Sequence, residues 1–121
     1  MTRNYDQACP VARTLDIVGD RWTLLILRDL FFDVARFNDF IERSPGMPTK
    51  VLSARLKKLE AHGFVRRELY SQHPLRAEYR LTEKGRSLRP VLQSLADWGM
   101  EHLLSAHERK QIPSLPNEAG R

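Results

Sequence analysis

The chain holds a single cysteine, Cys9, in 121 residues. That excludes an internal disulfide framework and a cysteine-rich zinc site. It has no apolar run near the ~20 residues that a membrane span needs, and its first residues, Met1 to Asp6, are polar where a secretory leader would be apolar. No membrane association is expected, and the default location is cytoplasmic. Glycine-rich phosphate loops, paired carboxylates and a Ser/His/Asp arrangement are also missing. The four histidines, His62, His73, His102 and His107, do not pair at i, i+4 with one another or with Cys9. The sequence therefore predicts no metal site, no cofactor and no enzymatic activity.

Acidic residues are scarce in one region only. Residues 1–49 carry six Lys/Arg against seven Asp/Glu, and residues 91–121 carry three against four. Residues 50–90 carry eleven against four, so the net charge of +5 comes entirely from the middle of the chain. A localised cationic stretch is what a polyanion binder needs, although a solvated surface can also be basic.

Pattern and punctuation divide the chain into short elements. A first helix is expected from Pro10 to Val18, with Val11, Leu15 and Val18 as its apolar stripe and Pro10 at the first helical position. A second starts at Asp20 or Arg21, with Asp20 as N-cap, and runs to Phe31; it is apolar nearly all round and so reads as the centre of the core. A short third helix spans about Arg36 to Arg43 and breaks at Ser44-Pro45-Gly46. The fourth runs from Pro48 or Thr49 to His62 and stops at Gly63. Two alternating segments, Phe64–Ser71 and Ala77–Leu81, then predict a hairpin with a five-residue tip, residues 72–76. A long C-terminal helix follows Thr82, with Pro90 marking a kink or late start and Gly99 a candidate break; it reaches Lys110. The segment from Gln111 onward reads as a disordered tail. The fold class is mainly α with a small β-hairpin (α+β). A helix leading straight into a hairpin is the arrangement of a winged helix-turn-helix. The expected division is a DNA-binding domain over 8–82, a dimerisation region over 83–110 and the tail over 111–121.

Projected at about 100° per residue, Val51, Leu52, Leu56 and Leu59 of the fourth helix form one apolar stripe. Lys50, Ser53, Ala54, Lys57 and Ala61 lie opposite, with no acid among them. Small side chains let a helix approach base edges, and lysine and serine supply donors to bases and phosphates. Thr49 belongs with them at the helix start. Arg55 falls inside the apolar stripe and is expected to pair with an acid such as Asp39 or Glu42. At the hairpin tip, His73 and Arg76 are placed to reach a narrow minor groove. Arg66, Arg67 and Arg80 read as phosphate contacts or solvated charges. The competing interpretation is a winged-helix adaptor that binds protein and never touches nucleic acid. On the final helix, Leu95, Trp98, Met100, Leu103 and Leu104 exceed what one small core needs, and Leu95, Trp98 and Leu103 are assigned to a dimer surface.

Several stretches in unbroken order resemble one family. They are Cys9-Pro-Val-Ala-Arg, Asp16 through Leu30, Arg36-Phe-Asn-Asp-Phe, Lys50 through Glu60, Gly63-Phe-Val-Arg-Arg, Pro74 through Thr82 and Leu95-Ala-Asp-Trp-Gly. Together they resemble the HxlR-type regulators, relatives of the MarR group. One departure is that Pro48-Thr49 stands where the family often has Ser-Pro. The resemblance implies a homodimeric transcription factor that binds double-stranded operator DNA and pairs through its N- and C-terminal helices. It also implies a small-molecule or oxidant effector, since several similar proteins sense oxidants through an N-terminal cysteine. Cys9 occupies that position; it precedes Pro10 at a helix start, where the helix dipole favours a thiolate, and Arg13 lies one turn on.

Overall fold

The structure is a computed structural model and describes residues 8–116. Its elements are α1 (Pro10–Val18), α2 (Arg21–Phe31), α3 (Phe37–Arg43), α4 (Thr49–Ala61), β1 (Val65–Gln72), β2 (Leu75–Leu81), α5 (Glu83–Arg86), α6 (Arg89–Leu103) and α7 (Ala106–Arg109). The two strands pair antiparallel, giving the expected winged helix-turn-helix.

The core forms around α2. Its Ile26, Leu27, Leu30 and Phe31 pack with Phe40 of α3, Leu52, Leu56 and Leu59 of α4, Val65 and Leu81 of the strands and Leu92 of α6. Each such burial contributes about 1.5–3 kcal/mol. The α2 helix is nevertheless not buried all round. Trp22, Leu24 and Leu25 stay half-buried, because a cavity rather than packed side chains adjoins part of this flank. The α1 stripe is corrected more sharply. Val18 is buried, whereas Val11 and Leu15 are 66% and 56% exposed, because the described residues leave that side of the first two turns uncovered.

Local signals explain where most elements end. The Asp20 carboxylate accepts from the backbone N–H of Trp22 and of Thr23, both at 3.2 Å, and starts α2. After α4, Gly63 has φ 81°, a conformation glycine adopts without penalty. Its N–H donates to Glu60 O, and the Phe64 N–H donates to Leu59 O, so the helix closes in a Schellman motif and turns directly into β1. At the other end of α4, Pro48 is the cap and Thr49 the first helical residue, with no side-chain cap hydrogen bond.

The hairpin tip differs from expectation. Strand β2 starts at Leu75, so only His73 and Pro74 form the turn. Tyr70 is bulged out of register, Ser71 lies opposite Arg76, and the Ser71 hydroxyl donates to Pro74 O at 2.8 Å. The bulge lengthens β1 by one residue and lets pairing continue to the tip. Arg76 is thus a strand residue beside the tip. The C-terminal region also differs. Thr82 caps only the short α5, and α6 starts late with Pro90 in its first turn. The break falls at Ser105 rather than Gly99, because Ser105 and Glu108 form a capping box that begins α7. Residues 111–116 are docked rather than disordered: Leu115 packs on the core, and Arg89 donates to Leu115 O and Pro116 O at 2.9 and 2.8 Å. Residues 117–121 of the expected tail lie outside the described residues.

Gly85 holds the hairpin base to the helices that follow. A Cβ there would lie 2.1 Å from Phe64 O and 2.9 Å from a Leu81 methyl. Backbone oxygen cannot move aside as a flexible side chain can. Gly85→Ala is expected to destabilise the fold by about 3 kcal/mol, read as the denaturation midpoint; an unchanged midpoint would show that the hairpin base can move away.

Candidate nucleic-acid interface

The α4 helix presents the expected split. Leu52, Leu56 and Leu59 are buried, while Thr49, Lys50, Ser53, Ala54, Lys57 and Ala61 are exposed. Lys50 and Lys57 have no hydrogen bond or ion pair among the described residues. The outer face is less free of acid than the projection implied. Exposed Glu60 follows Ser53 and Lys57 on the same row, in the last turn. The N-terminal half of the helix carries no acid, and in helix-turn-helix proteins that half meets base edges.

Arg55 is structural, as expected, but its partner is neither Asp39 nor Glu42. Its Nε donates to Asp20 Oδ2 at 2.9 Å. Asp20 thus caps α2, binds the Thr23 hydroxyl and anchors α4. Lys58 Nζ adds a bond to Asp16 O at 2.8 Å. These contacts set the angle of α4 against α1 and α2. Burial pushes the Asp20 carboxyl up, but the Thr23 hydroxyl and the Arg55 guanidinium more than offset it, lowering it from 3.8 to about 2. A carboxylate depressed in the folded state stabilises above its unfolded value and loses that contribution as pH falls through the folded one. Asp20→Asn keeps a capping oxygen but removes the charge. Its expected cost is about 1.5 kcal/mol near neutral pH, fading between pH 3.8 and about 2. Urea melts of both proteins across that range test it; a pH-independent difference would mean the charge contributes nothing.

The wing is tied to the start of α3. Tyr79 N–H donates to Ala35 O at 2.8 Å, and Arg36 bridges to Glu78. Arg36 Nε donates to Glu78 Oε2 and Arg80 to Glu78 Oε1, both at 2.8 Å. The Arg36 hydrogen bond is the main reason that the Glu78 carboxyl lies below its ordinary range. The Arg36 guanidinium stacks on bulged Tyr70, 4.2 Å from the ring centre. This assembly borders a polar cleft that Asn38, Arg67 and Arg76 also line. Arg67 and Arg76 are exposed and have no ion pair among the described residues. His73 is exposed at the tip. Arg66 pairs with Glu68, so Arg66 and Arg80 are internally occupied and Arg67 is not. Sequence reasoning missed Arg36, Asn38 and Tyr70; the only available signal was the Arg36-Phe-Asn-Asp-Phe stretch.

The other assigned residues belong to α1 and α6. Leu95, Trp98 and Leu103 are 52%, 59% and 71% exposed. Cys9 is the half-buried N-cap of α1, its Sγ accepting the Ala12 N–H at 3.4 Å. Among the described residues, no helix is long and apolar enough to cross a membrane, and no three metal-binding side chains cluster.

Known proteins resemble this chain in sequence and in fold. The profile of the HxlR-like helix-turn-helix family matches residues 17–107. The HTH-type transcriptional regulator YdeP of Bacillus subtilis is 41% identical over 96 residues, which is 79% of this chain and 75% of that protein. The HTH-type transcriptional regulator Mb3122 of Mycobacterium bovis is 50% identical over 93 residues; they make up 77% of this chain and 58% of the longer relative. The redox regulator HypR in its reduced form superposes with a TM-score of 0.70 at 39% identity, covering 76% of this chain and 91% of that one.

Proposed function

The chain belongs to the HxlR-like helix-turn-helix family of transcriptional regulators, which are not enzymes, and from that premise we propose that it represses transcription as a cytoplasmic homodimer on a pseudo-palindromic operator. Each α4 enters a major groove by its N-terminal half. Thr49, Lys50, Ser53, Ala54 and Lys57 face bases and nearby phosphates. Arg76, with His73 beside it, reaches the adjoining minor groove. Half-sites lie about one or two helical turns apart. Repression follows from competition for promoter DNA. The observation that carries this reading is the set of exposed, internally unpaired cations on α4 and the hairpin that directly follows it. A gel shift with nonspecific duplex at low salt tests it. A retarded band that fades as salt rises is expected; an adaptor that never meets nucleic acid leaves the duplex unshifted.

The same reading includes an oxidant response at Cys9, supported by its place at the α1 N-cap and by the similarity to HypR, a redox regulator. Two Cys9 thiols from paired chains would each give up one proton and one electron. The S–S bond then forms while a mild oxidant such as diamide is reduced to its hydrazine. A disulfide-linked pair is expected on a non-reducing gel after diamide, lost in Cys9→Ser and reversed by added thiol. If wild-type chains stay unlinked, this part of the reading fails.

A further inference from the structure

Away from the surface assigned to DNA, α2, α6 and the docked segment 111–116 border a cavity of about 480 Å³. Leu24, Leu25, Leu92, Leu95, Ile112 and Leu115 supply much of its wall. A mostly apolar cleft of this size with a few convergent polar groups is the usual form of a small-molecule site.

The polar groups are specific. Arg28 and Arg43 line the cavity, and both donate to the same oxygen, Oδ1 of Asp29, at 2.9 and 3.1 Å. Asp29 is fully buried, and its other oxygen has no hydrogen-bond partner among the described residues. Two guanidiniums on one carboxylate leave an excess positive charge, and none of the lining residues is acidic. Each guanidinium has five N–H donors and spends only its Nε and one terminal nitrogen on Asp29. Donors therefore remain beside an apolar wall.

We propose that this cavity binds a small carboxylic acid with an apolar body, its carboxylate on Arg28 and Arg43. The occupant would touch α2, whose N-cap Asp20 holds Arg55 of α4, and α6, which carries the exposed Trp98. It would thus sit between the proposed reading head and the proposed pairing surface. Only this link to DNA rests on the function proposed above.

The test is calorimetric titration of the intact protein, without DNA, with 2-naphthoate and with its uncharged analogue 2-naphthamide. One naphthoate per chain is expected, with the amide about tenfold weaker or worse, as loss of one charge-assisted hydrogen bond requires. Ala96→Phe, which fills the cavity from α6, is expected to abolish naphthoate binding, and Arg28→Gln to weaken it about tenfold. Both variants are checked for an unchanged far-ultraviolet spectrum, and Arg28→Gln carries the test should Ala96→Phe fail to fold. Equal binding of acid and amide, or retention of naphthoate by folded Ala96→Phe, would overturn the proposal. So would an absence of heat with naphthoate at millimolar concentration, the outcome if a second copy of this chain fills the cavity. A protein that bound no duplex at all would leave these results intact, so the two readings fail separately.

Discussion

Replacing Lys50, Lys57 and Arg76 together by glutamine is expected to lower affinity for duplex DNA by two to three orders of magnitude at about 0.1 M salt and to flatten the salt dependence by about 2.7 logarithmic units. The estimate follows from counterion release. Each phosphate neutralised contributes a slope of about 0.9 on B-DNA, so three lost contacts remove three such increments and the affinity they supplied. Stability should hardly change, because all three side chains are exposed and none has an ion pair among the described residues. Fluorescence anisotropy of a labelled duplex, titrated across a salt series, measures both quantities. The slope is the more discriminating of the two. A variant that bound less tightly with an unaltered slope would have lost something other than phosphate contacts, and one with unaltered affinity would put the duplex on another face.

Breaking the proposed pairing surface is expected to do as much without touching a DNA-facing residue. Trp98→Glu with Leu103→Glu introduces two charges where one chain leaves large apolar side chains in water. Neither residue belongs to the buried core cluster, so the single chain should keep its helical spectrum. Sedimentation should report a monomer. Affinity for a two-half-site operator should fall by about 10²–10⁴, because the second reading head no longer binds as a tethered partner. Affinity for a single half-site should change little. A variant that stayed dimeric would move the interface elsewhere, with α1 and its exposed Val11 and Leu15 the next surface to examine. A monomer that kept full operator affinity would remove the need for a dimer.

Much of this architecture was legible from local pattern. The α4 stripe, the glycine that ends it and the alternation of the strands each depend on residues a few positions apart, so backbone geometry expresses them directly. The candidate interface was legible for the same reason: an outward helix face is the complement of an inward one. Where the reading slipped, the deciding partner was distant. Arg55 was recognisable as structural, because a cation in an apolar stripe must be paired or escape to water. Its partner Asp20 lies 35 positions away, and the nearer Asp39 and Glu42 carried as much sequence signal. The hairpin tip depended on a bulge at Tyr70, which strand propensity does not encode.

By itself, the amino-acid order determined the sequence of helices from α1 to α4, the hairpin after α4 and the location of excess positive charge, since each follows from short-range periodicity, turn chemistry or simple counting. Tertiary structure alone decided that Asp20 joins α2 to α4, that Arg36 and Tyr70 stack beside the wing, and that Leu115 docks where Arg28 and Arg43 line a cavity. Those contacts join residues far apart along the chain. They exist only once the core has closed and fixed the distances between elements, and a linear pattern carries no record of those distances.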